Sequence, residues 1–217
     1  MKINAMKNNA LKTGITFIVA LSCLITTKVS LAKTPSFTYV EAEFITSGNF
    51  EVSADSVGVD VDTDGFALTA SLELGIFFIQ ASRFELDGDA IFDTEIEDNI
   101  SALAGGLTFE LPRTQLYGLV RIRRDQLRAS GPLIDEDEDL TFLGLEVGGR
   151  VNVTDRIELN ANLGLPSTEE GTSFGFGAQY FITDHLGITA NFRRIEAEDS
   201  GIEAEFDTTS IGLRWSF

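Results

Sequence analysis

One cysteine, one histidine, one tryptophan and four prolines are all that the 217 residues hold of those types. A lone Cys23 excludes a disulfide within the chain, so stability must come from elsewhere. Hydrolytic constellations generally need a histidine as base or acid, and His185 is the only one present. Basic side chains are scarce: 16 Lys and Arg stand against 34 Asp and Glu, a formal net charge of -18. Nucleic acid is thereby excluded as a partner, since binding it rests on neutralising phosphates with Lys and Arg. Beyond residue 32, no run approaches the ~20 apolar residues of a membrane helix. Any membrane crossing must be made of strands.

The first 32 residues differ in kind from the rest. Lys2, Lys7 and Lys12 precede an apolar run at 14–25 (GITFIVALSCLI), no acid occurs, and Ser30 and Ala32 are small residues at both cleavage positions. That is the layout of a secretory signal, with cleavage expected after Ala32. The run is short of a span, which leaves a retained anchor as one alternative. A lipid-modified Cys23 is the other, poorly served by Ala20, Leu21 and Ser22 before it. Removing the signal takes away four lysines and Cys23 but no acid, moving the net charge from -18 to -22. Residues 33–217 suit one domain.

Ten segments alternate apolar with polar or small residues: 37–46, 66–74, 77–86, 100–111, 115–123, 143–151, 157–165, 173–181, 186–195 and 208–217. In 66–74 one face is Phe66, Leu68, Ala70, Leu72 and Leu74; the other is Ala67, Thr69, Ser71 and Glu73. In 157–165 Ile157, Leu159, Ala161, Leu163 and Leu165 oppose Glu158, Asn160, Asn162 and Gly164. Only 77–86 is ambiguous, because Phe77, Ile79 and Ala81 argue for one face while Phe84 falls on the other, leaving Arg83 and Glu85 unassigned. The connections alternate between tight turns (75–76, 112–114, 154–156, 182–185) and mostly longer, mostly acidic links (51–65, 87–99, 129–139, 166–171, 196–207). Membrane barrels have this asymmetry, with short turns on one rim and longer loops on the other.

Pointing the apolar face inward would overfill a small barrel and leave Glu, Arg and Gly facing water. Pointing it outward lets lipid solvate it and avoids ~2–4 kcal/mol for each Arg at the midplane. The expected fold is therefore all-β: an up-and-down antiparallel transmembrane barrel of about ten strands, with eight as the alternative. Its lumen is expected to hold a charge network of Glu41, Glu43, Glu73, Glu110, Arg121, Arg123, Glu146, Arg150, Glu158, Arg193 and Arg214.

The last segment places Thr209, Ile211, Leu213, Trp215 and Phe217 on one face and stops on an aromatic residue. This resembles the assembly signal of bacterial outer-membrane barrels, with Phe217 at the terminal position and Trp215 and Leu213 at the apolar positions before it. An interfacial aromatic girdle accounts for the same residues. The passage FGFGAQYF at 174–181, followed by Ile182, Thr183 and Asp184, is similar to the strand and tight turn of the porin-family, OmpA-like and OmpX-like barrels. The resemblance implies a Gram-negative outer membrane, lipid and lipopolysaccharide as surroundings, and insertion by the barrel-assembly machinery. It also implies eight strands more often than ten.

Asp60, Asp62 and Asp64, followed by Gly65, look like the start of a calcium loop, but the position for a bidentate Glu is Ser71. A weaker cation site shared with Asp87 and Asp89, or with the acids at 135–139, is the remaining metal possibility. Solvated acidic loop tips are the plainer reading. His185, beside Asp184 in an expected turn on the wrong rim for outside substrates, reads as turn chemistry, so no enzyme and no cofactor are expected. Ten strands make a narrow barrel, whereas open aqueous channels use sixteen or more. A monomer with a structural or surface-interaction role is expected, with a narrow channel for small solutes or ions as the alternative.

Overall fold

In the computed structural model the described residues are 35–54, 57–90, 94–130, 135–165, 171–199 and 202–217. Side chains are described within them except at 50, 52–54, 57–60, 89–90, 94–96, 127, 129–130, 135–138, 197–199 and 202–204. The chain divides into units 1–32 and 33–217. The expected signal, with Cys23 and the cleavage position, lies outside the described residues.

Ten strands follow one another: β1 (Tyr39–Ala54), β2 (Val57–Leu74), β3 (Phe77–Ala90), β4 (Thr94–Leu111), β5 (Thr114–Ser130), β6 (Asp135–Asn152), β7 (Ile157–Leu165), β8 (Thr172–Phe181), β9 (Leu186–Asp199) and β10 (Ile202–Ser216). Each pairs antiparallel with its sequence neighbours, and β1 pairs with β10 to close the barrel. Closure leaves no strand edge, the condition for placing sheet backbone in hydrocarbon. The expected tight turns lie together on one rim, at 75–76, 112–113, 153–156 and 182–185.

On the opposite rim the expected long links are corrected. The ladder continues through most of 51–65, 87–99, 129–139 and 196–207, pairing Glu51 with Asp60, Asp87 with Glu97 and Arg128 with Asp137. Cross-strand pairing satisfies backbone groups whatever the side chains, so acidic stretches can extend a hairpin as well as interrupt it. Strands β2, β4 and β6 reach 18 residues. That exceeds the ~9–11 needed to cross hydrocarbon, so their far ends stand beyond it.

The outer face carries an apolar band, broken on β3 by Arg83 and Glu85, which stand opposite Leu68 and Phe66. Phe66, Leu68, Leu72 and Leu74 on β2, Leu103, Leu107 and Phe109 on β4, Leu143, Leu145 and Val147 on β6, and Ile211, Leu213 and Trp215 on β10 all stand exposed. The ambiguous third strand resolves the same way. Phe77, Ile79, Arg83 and Glu85 face out, while Phe78 and Leu86 are buried within the barrel. A register shift in β1 between Ile45 and Ser47 adds a residue, so Ile45 and Gly48 both turn inward.

Candidate functional site

The inward positions build three levels, of which the one nearest the short turns is the most tightly packed. Arg214 of β10 holds Glu41 of β1 at 2.6 Å and Gln179 of β8 at 3.0 Å, and it reaches Glu158 of β7 at 3.6 Å. Arg150 of β6 binds the same Glu158 oxygen through Nη2 at 2.6 Å and through Nε at 2.8 Å. The result is one chain of alternating charge, Glu41, Arg214, Glu158 and Arg150, stitched from four strands. Neither guanidinium sits in water, so each is satisfied by carboxylates and by aromatic faces: Arg214 lies 4.3 Å over the ring of Tyr39, and Arg150 lies 5.0 Å over that of Phe37.

Phe37 belongs to the segment just before β1, which folds into the lumen. Its amide donates to Glu73 Oε2 at 2.9 Å, and the carbonyl of Ser36 accepts from Arg150 Nη1 at 2.6 Å. Thr108 and Gln115 donate to the other Glu73 oxygen at 3.1 and 2.7 Å. The Phe37 ring stacks on Phe78 with centroids 4.2 Å apart, and the edge of Tyr117 meets it at 5.0 Å. Missing side chains on two neighbouring strands make room for these rings. A Cβ on Gly106 would fall 2.5 Å from Phe78 Cε1, and one on Gly148 would fall 2.5 Å from Tyr117 Cζ.

At mid-height Glu146 collects three donors: the Tyr117 hydroxyl at 2.9 Å, Arg121 at 2.8 Å and, less closely, Arg193 at 3.6 Å. Glu43 accepts from Asn191 and Ser210, each at 2.7 Å. Higher still, Arg123 pairs with Asp125, and an apolar cluster of Ile45, Leu86 and Ile100 lines the wall, joined by Phe84 and Phe206. Between this cluster and the aromatic level lies a cavity of about 250 Å³.

No protein-family model matches the chain, and no curated protein does. Solved structures do. The outer membrane protease OmpT from Escherichia coli is 13% identical, with 85% of this chain and 99% of that one aligned at a TM-score of 0.51. The fold is that of the outer-membrane β-barrels. The translocator domain of autotransporter NalP from Neisseria meningitidis is 12% identical over 99% of this chain and 98% of its own, with a TM-score of 0.49. Neisserial surface protein A is 12% identical over 84% and 98%, with a TM-score of 0.47.

Within this outer-membrane-type barrel, ten of the eleven charges expected inside line the lumen, but not as one network. Glu41, Arg150, Glu158 and Arg214 form one group, and Arg121, Glu146 and Arg193 a second. Glu43 and Glu73 are held by neutral donors, and Arg123 by Asp125. Glu110 is a correction. It has the inward phase of Thr108 but falls at the short-turn rim, where it is exposed. A second correction concerns the lumen's chemistry, since Phe37, Tyr39, Phe78, Ala104 and Leu119 form an inward apolar cluster beside the charges. Alternation hides it because Phe78 stands between Phe77 and Ile79, which are equally apolar, while Phe84 lies in the opposite phase to them. Tyr117 and Leu119, by contrast, stood visibly on the polar face.

Asp62 and Asp64 sit in β2 rather than in a loop, exposed and two residues apart, while the side chain of Asp60 lies outside the described residues. Among the described residues no group of three or more His, Cys, Asp or Glu is placed to hold a metal. Leu213, Trp215 and Phe217 share the exposed outer face of β10 and its end. His185 bonds through Nδ1 to the Ser216 carbonyl at 2.9 Å and stacks on Trp215 at 5.8 Å. Thr183 Oγ1 accepts from the amide of Leu186 at 3.0 Å within the β8–β9 turn, and the Ser216 amide donates to the His185 carbonyl at 2.7 Å, which ties that turn to the end of β10. At the same rim a hydrogen bond to the Tyr180 hydroxyl raises the pKa of Arg156 in the turn after β6.

Proposed function

We propose that this chain is an integral outer-membrane β-barrel, monomeric, plugged on its periplasmic side and serving a structural or surface-interaction role. The short turns then lie in the periplasm, and the acidic ends of the extended hairpins face the medium. The observation that carries the plug is the inward fold of residues 36–38, which lays Phe37 against Phe78, Tyr117 and the Arg150 guanidinium, beside Tyr39 and its contact with Arg214. Rings packed at 4.2 Å and guanidiniums already bound to carboxylates support the plugged reading. Arg150 and Arg214 in this plug each have a carboxylate partner, so the loss of either partner would strand a buried charge.

On this reading the first 32 residues direct export and are removed, and the assembly machinery reads Leu213, Trp215 and Phe217. The outer face meets lipid and, in the outer leaflet, lipopolysaccharide. Divalent cations gather loosely at the acidic loop ends. His185 is engaged with the end of β10, which gives it a role in the turn and none in chemistry. The test is planar-bilayer recording of the purified full chain. Quiet membranes after insertion are expected, and stable unitary currents would establish the narrow-channel reading instead.

A further inference from the structure

The cavity above the plug is chemically two-sided. Strands β1, β3, β4 and β10 turn Ile45, Phe84, Leu86, Ile100 and Phe206 toward it, whereas β5 and β9 contribute the guanidiniums of Arg121, Arg123 and Arg193. Apolar residues inside a barrel are not needed for folding in lipid, where the outer face already serves, yet Ile45, Leu86 and Ile100 form an inward apolar cluster on this wall.

The cationic wall is under-supplied with carboxylate. Arg123 has Asp125, but Arg121 and Arg193 share a single Glu146 oxygen, Arg121 at 2.8 Å and Arg193 at 3.6 Å. The other Glu146 oxygen is taken by Tyr117. Arg193 Nε is buried with no hydrogen-bond partner among the described residues, although a third of its side chain is accessible, at 33%. Glu43, the remaining acid on the wall, is held by Asn191 and Ser210. A guanidinium one third accessible and 3.6 Å from its nearest carboxylate, lining the same cavity of about 250 Å³ as an apolar wall, is a complementary surface for one kind of molecule.

We infer that this cavity binds a small amphiphile, its anionic head on Arg193 and its apolar body against Phe84, Leu86 and Ile100. The inference rests on the plugged-lumen reading, because the plug makes the space a blind chamber and not part of a conduit. A volume just under the ~300–1,000 Å³ of drug-sized ligand pockets suits a chain of medium length and excludes a complete membrane lipid.

The experiment is calorimetric titration of octanoate into the full chain folded in lipid nanodiscs, with empty nanodiscs subtracted and 1-octanol as the neutral counterpart. Saturable binding of octanoate to one site is expected. It should weaken by at least about tenfold for octanol and for Arg193→Gln, which lack the charge-assisted bond. It should vanish in Leu86→Trp or Ala102→Leu, which fill the chamber. Each variant is first checked for the heat-modifiable gel migration of a folded barrel. Absence of saturable binding to folded protein, or equal binding in the wild type and the folded variants, overturns the inference. A folded, non-conducting barrel that ignores octanoate sinks the ligand alone, whereas a conducting one sinks the plugged lumen and the blind chamber with it.

Discussion

Arg214 and Glu41 meet at 2.6 Å although 173 residues separate them, and both side chains are buried, at 8% and 4% exposure. Their contact spans the seam where the last strand pairs with the first, so this buried ion pair marks the closing of the barrel. Removing one partner leaves the other charged and buried. Arg214→Leu should therefore cost ~3–5 kcal/mol, while the double change Glu41→Leu with Arg214→Leu should cost less than the two single changes together. Urea unfolding from lipid vesicles reads both. Equal losses from independent addition would mean that the pair does not act as a unit.

The aromatic level gives a second expectation. Phe78 is only 1% exposed, and Phe78→Ala should cost ~3–5 kcal/mol by transfer and cavity terms. The same variant should also pass small ions where the wild type does not. Gly148→Val attacks the packing from the other side, pushing on Tyr117, and should cost ~1–3 kcal/mol through overpacking. Bilayer recording of Phe78→Ala beside the wild type checks the first effect, and vesicle unfolding checks the second.

Third-strand phase can be tested by charge placement. Ile79→Arg puts a cation on the outer face within the apolar band and should cost ~2–4 kcal/mol in lipid. Arg83→Ala, which removes half of an exposed pair with Glu85 at 2.8 Å, should change stability by less than ~1 kcal/mol. Folding yields of the two variants into vesicles give the comparison, and similar penalties for both would put β3 in the opposite phase.

Much of this architecture was legible from alternation alone. The strand number, the short-turn rim and the outward faces of β2, β5, β6 and β7 follow from period two, because a lipid-facing row tolerates no charge and so leaves a clean signature. Where the lumen itself is apolar the signature fails: at Phe78 both faces of the strand are greasy, and at Phe84 and Leu86 the polarity is reversed, with Arg83 and Glu85 outward. The strand ends beyond the band were hidden for a related reason. At 57–64, Val and Thr alternate with Gly and Asp, a visible period of two, but the polarity suggests a loop, and hairpin pairing overrides it. The inward segment at 36–38 left no signal, since nothing local distinguishes a Phe before the first strand from a Phe in it.

An assembly role for the end of β10 separates from a purely interfacial one. Phe217→Ser removes an exposed side chain that touches the outside of the barrel, so stability measured in vesicles should stay within ~0.5 kcal/mol. If the residue is read during insertion, the fraction of protein reaching the outer membrane in cells should fall sharply. Unchanged membrane levels would leave Phe217 to the girdle.

Trp215 is the single tryptophan of the chain and stands 48% exposed on the outer face of β10. Its fluorescence in vesicles made with brominated acyl chains reports the orientation of the whole apolar band. Strong quenching together with a blue-shifted emission is the expected result. A folded protein whose Trp215 emission is indifferent to the bromines would place that face away from lipid and contradict the account.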